Sequence, residues 1–270
     1  MAIITLSRGS YSKGKEIAEK VAACMNYDCL SREVILEASD RFNIPEIKLE
    51  KAIHDAPSIL ERFTHGKSDY ITYYQSALTR RVRKDNVVYH GLAGHIFLGG
   101  ISHLLKVRII SDLSMRVRNK METENISEQD ARAIILKDDH ERRNWTQKLY
   151  GVDPWDSSLY DLVIFIDKIT VEDAVNIICR VAGFKQFKAT RESQQKMDDL
   201  ALACEIKALL LNEHFDVSVT SDYGNVVISA KATGRQLQKL NERATQLISE
   251  VSGINNLEVH SEATQRQTVI

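Results

Sequence analysis

The chain has 270 residues, 43% hydrophobic and 27% charged, which excludes a mostly disordered protein and leaves room for two domains. Lys and Arg number 36 against 37 Asp and Glu, a formal net charge of -1, which excludes a global pull toward nucleic acid or an anionic membrane and makes any basic site local. No apolar run approaches the roughly 20 residues of a spanning helix, and Met1–Leu6 lacks the basic and long apolar regions of a secretory signal, so a cytoplasmic chain is expected.

In chain order, Ile3–Leu6 is a short β-branched run, followed by a small polar loop and then by Ile17, Ala18, Val21 and Ala22 at helical spacing. Helical periodicity recurs in Glu33–Arg41, Ile47–Ala52 and Tyr73–Arg83, with Pro45 and Pro57 near boundaries. Further strands are predicted at Asn86–Tyr89, Lys106–Ile110 and Leu162–Ile166. Strands alternating with helices imply an α/β fold with a parallel sheet. Residues 185–197 lose the apolar pattern and read as a linker. Beyond it, a helix carrying Leu202, Ile206, Leu209 and Leu210 leads to strands at 216–219 and Val226–Ala230, joined by the turn Asp222-Tyr223-Gly224-Asn225. A helix carrying Leu237, Leu240, Ala244, Leu247 and Val251 stops at Gly253, and Leu257 and Val259 mark a last strand. The expected domains are 1–184, a small α-β-β-α-β unit over 198–263, and a tail over 264–270. The four cysteines, Cys24, Cys29, Cys179 and Cys204, lack zinc spacing and read as reduced, mostly buried thiols. No metal site is expected from the protein alone.

Gly9-Ser10-Tyr11-Ser12-Lys13-Gly14-Lys15-Glu16 follows a strand and opens a helix. It satisfies Gly-x-x-x-x-Gly-Lys, but has Glu16 where a Walker A loop carries Ser or Thr. Backbone N–H groups and the positive helix end would face an anion there, with Lys15 on terminal phosphates. Without the hydroxyl, Mg²⁺ would be held by the nucleotide and waters.

These residues open a wider resemblance. The first 180 or so positions resemble the cytidylate kinase-like group of P-loop kinases through Ile4-Thr5-Leu6-Ser7-Arg8, Gly14-Lys15-Glu16-Ile17-Ala18, Ala56-Pro57-Ser58 and Val87-Val88-Tyr89-His90-Gly91. The match continues in Glu124-Asn125-Ile126-Ser127-Glu128, Tyr150-Gly151-Val152-Asp153 and Tyr160-Asp161-Leu162-Val163-Ile164. The resemblance implies a parallel sheet with helices on both faces, a helical lid, ATP and Mg²⁺ as cofactors, and phosphoryl transfer to a CMP- or dCMP-like acceptor. By position it implies lid residues Lys137, Asp139 and Arg142 with Arg143 beside them, and acceptor contacts from Ser31, Arg32 and Gly91. The chain departs from the group where Tyr11 and Lys13 replace loop glycines, where Leu92 replaces an arginine facing the acceptor phosphate, and where Ser31-Arg32-Glu33 stands for Asp-Lys-Glu. Those departures keep a second expectation open, a catalytically weak or inactive nucleotide-binding regulator. Residues 198–263 resemble a BON domain, which implies docking to a protein partner or peripheral membrane surface. Oligomeric state is not readable.

Other candidates read as structural. His54-Asp55 is expected to hydrogen-bond structurally, His90 and His95 flank the post-strand glycines, and Trp145 and Trp155 are expected to pack. No nucleophile elbow or Ser-His-Asp order is present.

Overall fold

The computed structural model describes residues 2–49 and 66–261, and of residues 66–68 the backbone only. The His54-Asp55 pair, the Ala56-Pro57-Ser58 match and the 264–270 tail therefore lie outside the described residues, as do residues 50–52 of the third predicted helix. The larger sheet holds β1 (Ile3–Arg8), β2 (Asp28–Leu30), β3 (Val87–Tyr89), β4 (Leu104–Ser111) and β5 (Leu162–Ile166), in the order β2-β3-β1-β4-β5. All its pairings are parallel. Central β1 is buried from Ile3 to Leu6, which explains why its run is apolar but for Thr5, since a parallel strand is covered on both faces. The three-residue edge strand β2 was not legible, because Asp-Cys-Leu offers neither length nor β-branching.

Helices α1 (Gly14–Met25) and α7 (Val171–Ala182) pack on one face through Ile17, Val21, Val175 and Ile178. Helices α2 (Glu33–Phe42) and α3 (Gly66–Val82) cover the other through Val34, Ala38, Ala77 and Leu78. Between β3 and β4 lies the short helix α4 (Gly94–Phe97). The long α6 (Glu128–Tyr150) packs on α5 (Leu113–Glu124) around Val117, Ala131 and Ile135. Ser127 caps α6, its side chain accepting from Asp130 N at 3.1 Å. Gly151, at φ 69°, ends the helix in the left-handed conformation and turns the chain back toward β5.

The C-terminal module is built from α8 (Arg191–Asn212), β6 (Val217–Asp222), β7 (Asn225–Ala230), α9 (Arg235–Glu250) and β8 (Asn256–Ser261). β7 pairs antiparallel with β6 and parallel with β8. The β6–β7 turn has Tyr223 at φ 48° and Gly224 at φ 74°, the two positive values that a tight two-residue hairpin needs. A Cβ at Gly224 would also lie 2.5 Å from Gly253 O. Asp199 of α8 pins this hairpin, accepting from Ser221 Oγ at 2.7 Å, Gly224 N at 2.8 Å and Tyr223 N at 2.9 Å.

Residues 185–197 contain a 3-10 turn at Lys185–Phe187 and then the first turns of α8, which Thr190 caps in a capping box with Ser193. Helix α8 serves both parts of the molecule. Met197 and Ala201 join the core beneath α2 and α3, while Leu202, Ile206 and Leu210 join the core of the small sheet. Residues 185–197 read as a linker in sequence because they are almost wholly polar, and in the first turns of α8 only Ser193 and Met197 are buried. Among the described residues, no helix is long and apolar enough to cross a membrane.

Candidate active site

Chain direction reverses about β1, and there, at the C-terminal ends of β1 and β4 and just beyond β3, lies a cavity of about 310 Å³. Open α/β sheets bind ligands at such switch points. Its lining includes five guanidiniums, Arg8, Arg32, Arg108, Arg142 and Arg143, against the single carboxylate of Asp139. Ser31, Gly91, Leu92 and Trp155 also line it. The fold therefore gathers Ser31, Arg32, Gly91, Asp139, Arg142 and Arg143 around one space with Gly9.

The guanidiniums differ in how far they are already matched. Arg32 pairs with Glu46, its Nε donating at 2.9 Å, and Arg143 pairs with Asp153, its Nε donating at 3.1 Å. Arg108 Nη1 donates to Pro154 O at 2.5 Å and Tyr160 Oη at 3.0 Å. Arg8 and Arg142 have no carboxylate within ion-pair distance among the described residues. Arg142 Nη1 instead approaches Arg8 O at 3.4 Å. Burial lowers the pKa of both, and the Arg142 charge lowers Arg8 further. Asp138 and Asp139 offset part of that effect at Arg142, and Glu19 part of it at Arg8, but none of these carboxylates pairs with either guanidinium directly, so the cavity keeps a positive field.

Two histidines beside them are neutral. Burial, with Arg8 next in effect, lowers His90 to about 4. Burial, with Arg108 and Lys106 next, lowers His95 to about 3. His95 stacks on Tyr160 at a centroid distance of 4.6 Å. Its Nε2 and the Nδ1 of His90 are buried without a hydrogen-bond partner, orphans of the kind that mark sites completed by water or ligand.

The phosphate loop lies beside this cavity, and only Gly9 of it lines the wall. Tyr11 at φ 60° and Lys13 at φ 67° occupy the left-handed region. These are the two positions where the group carries glycine, so the chain keeps the loop's backbone shape without glycine's freedom. Helix α5 straps the loop. Arg116 Nε donates to Ser10 O at 2.7 Å, Asn119 Nδ2 to Tyr11 O at 2.9 Å, and Lys120 Nζ lies 4.5 Å from the Tyr11 ring centroid. Tyr11 Oη donates to Glu124, and Ser12 Oγ donates to Gly9 O at 2.8 Å. Gly14 must lack a Cβ, which would lie 2.6 Å from Arg8 Cβ.

The lid helix reaches the same loop. Arg116 pairs bidentately with Asp139, both bonds at 2.8 Å, and Ser10 Oγ donates to Asp138 at 3.3 Å. Asp139 thus engages a residue that sequence reading missed. Lys15 and Lys137 stand apart: Lys15 is exposed 3.7 Å from Glu19, and Lys137 is exposed 3.8 Å from Glu141. Glu16 faces Lys20 at 3.0 Å and Lys13 at 3.9 Å. Trp145 is buried as expected, whereas Trp155 is 54% exposed, against the packing role expected of it. Cys24 is exposed and the other cysteines half-buried, so the thiols are less buried than their residue type suggests. Among the described residues, no group of three or more His, Cys, Asp or Glu is placed to hold a metal.

Arg8, Arg108, Arg116, His95 and Tyr160 were not singled out in sequence for the site. A signal existed for Arg108, because Lys106 and Arg108 alternate with Leu105, Val107 and Ile109 in β4, which marks a strand with one face unpacked.

Comparison with known proteins agrees with this geometry. The Cytidylate kinase-like family model matches residues 3–168. A cytidylate kinase of Sulfolobus acidocaldarius is 27% identical over 157 residues, covering 56% of this chain and 78% of that protein. One of Staphylothermus marinus is 31% identical over 107 residues, covering 39% of this chain and 56% of that protein. The crystal structure of an uncharacterized protein from Eubacterium ventriosum superposes with a TM-score of 0.54 at 21% identity, covering 67% of this chain and 97% of that one. A five-stranded parallel sheet with helices on both faces, matched by the family model over residues 3–168, places the chain in the cytidylate kinase-like family.

Proposed function

We propose that the protein is an ATP-dependent kinase that phosphorylates a nucleoside monophosphate, CMP or dCMP in the first instance. The observation that carries this reading is the Arg8–Arg142 pair beside the end of the central strand, two guanidiniums with no direct ion pair among the described residues. The acceptor phosphate supplies the missing charge. Arg32 and Arg108, at other points of the wall, extend the positive field that the group's arginine would supply at Leu92. ATP enters over Gly9–Glu16, where the left-handed Tyr11 and Lys13 hold backbone N–H groups toward its phosphates and Lys15 swings from Glu19 to neutralise charge developing in transfer. Mg²⁺ comes with the nucleotide and bridges its oxygens. Lid closure would bring Lys137, Asp139, Arg142 and Arg143 over the phosphates and exclude water.

In this reading residues 1–184 carry the chemistry and 198–263 a BON-like docking module for a protein or membrane surface, with 185–197 joining them. A second reading is favoured by one observation, the strapping of the loop by Arg116, Asn119 and Lys120. If that network does not yield to ATP, the domain is a nucleotide-binding regulator.

The test is ADP release from Mg-ATP with a panel of nucleoside and deoxynucleoside monophosphates, beside Lys15→Ala. Turnover with one acceptor, falling at least about 100-fold in the variant, is expected. ATP binding without turnover on any acceptor contradicts the kinase reading and supports the regulator.

A further inference from the structure

Trp155 is a large aromatic left 54% exposed. Single exposed hydrophobics are ordinary on protein surfaces, but this one lines the arginine-rich cavity and is rigidly mounted. Asp153 accepts from Trp155 N at 3.0 Å and from Arg143 Nε at 3.1 Å. The Arg143 guanidinium in turn lies 4.5 Å from the Trp155 ring centroid. The preceding carbonyl, Pro154 O, accepts from Arg108 Nη1 at 2.5 Å and Tyr160 Oη at 2.8 Å. Both sides of the residue are therefore fixed to the elements that line the cavity, and one face of the indole is backed by a cation. A ring held in this way, more than half open, loses little entropy when a flat ligand stacks on it.

From this arrangement we infer that Trp155 is the stacking wall for the acceptor's nucleobase, and so a specificity-determining residue that separates a nucleotide from a bare sugar phosphate. The inference rests on the reading of the cavity as an acceptor-phosphate site. Arg8 and Arg142 recognise the phosphate common to both ligand classes. Trp155 recognises the aromatic base that only the nucleotide has. The orphan Nε2 of His95 and Nδ1 of His90, both on residues of the same lining, are neutral polar atoms suited to hydrogen-bond uncharged groups of the ligand.

Binding titrations of the full chain with CMP, UMP, AMP, GMP and ribose 5-phosphate, read by calorimetry and by tryptophan fluorescence, test it. Buried Trp145 provides the reference emission. The expected result is that Trp155→Ala weakens the tightest nucleotide about 10-fold or more, within the range measured for base–aromatic stacking. It leaves ribose 5-phosphate unchanged, and Trp155→Phe recovers most of the nucleotide affinity. The fluorescence change on nucleotide binding disappears in both variants. Equal nucleotide affinity of wild type and Trp155→Ala overturns the inference, as does an equal loss for nucleotide and ribose 5-phosphate. If neither ligand class binds the folded wild type, the acceptor-phosphate reading itself fails and the inference falls with it.

Discussion

The Gly9–Glu16 loop and the arginine-lined cavity sit side by side at the same end of the sheet, yet they meet their polar groups in opposite ways. In the loop, Ser10 O, Tyr11 O and Tyr11 Oη all have protein partners, and Asp139 neutralises Arg116, which holds the loop in place. In the cavity, among the described residues, Arg8 and Arg142 have no direct ion pair and two buried histidine nitrogens have no hydrogen-bond partner. The loop's carbonyls are met within the protein, whereas the cavity keeps polar side-chain atoms without a protein partner among the described residues. Free energy that the loop network contributes to the fold is partly lost again in keeping the cavity's cations together.

Breaking the strapped loop should have the largest effect on stability. Arg116→Met removes the bidentate pair and leaves Asp139 and Ser10 O unmatched, a loss of about 3 kcal/mol expected in denaturant unfolding. An unchanged midpoint would show that the strap is incidental.

The cavity is sharpened next by pH. His95 falls from its ordinary 6.5 to about 3 in the fold. At pH 7 neither the folded nor the unfolded form carries the proton, and the group contributes nothing. As pH drops below 6.5, the unfolded chain takes up the proton and the folded chain does not, so stability falls by about 1.4 kcal/mol per pH unit. By pH 4 the loss is about 3 kcal/mol. His95→Phe, which keeps an aromatic ring on Tyr160, should remove about half of the acid slope between pH 6 and 4, because His90, lowered to about 4, contributes nearly as much over that range. An acid limb identical to wild type would contradict neutral burial of His95.

The smallest effect belongs to the loop's backbone. Lys13 precedes α1 at φ 67° with no side-chain cap on the helix, so Lys13→Gly should raise stability by about 0.5–1 kcal/mol by removing left-handed strain. A fall in melting temperature would mean that its ion pair with Glu16 outweighs the strain.

The same contrast governs what was legible beforehand. The loop could be read because its pattern is local: a β-branched run, a spaced Gly-Lys and a helical period lie within about twenty residues. The lid arginines were legible only through resemblance. Arg8 stood inside a recognised stretch but looked like the end of a strand, and its significance depends on Arg142, which lies 134 positions later. His95 against Tyr160, and Arg116 against Asp139, are likewise products of topology. Trp155 was misread because burial is the default for tryptophan, while Gly151 and the Asp153–Arg143 pair hold it at the cavity wall. In the C-terminal part the two-residue hairpin was visible from Tyr223-Gly224 and the helix from Leu202, Ile206 and Leu210, but the first turns of α8 were not, because they are almost wholly polar.

The most direct test of the central claim, that unpaired Arg8 and Arg142 await the acceptor's phosphate, is thermal unfolding of wild type and Arg142→Met with and without a nucleoside monophosphate near 100 times its wild-type Kd. Without ligand the variant should melt within about 2 °C of wild type, because the cost of burying Arg142 and its attraction to Asp138 and Asp139 are removed together. With ligand the wild type should gain about 2.7 kcal/mol and the variant almost nothing. A variant that gains as much from the ligand as wild type does would contradict the account.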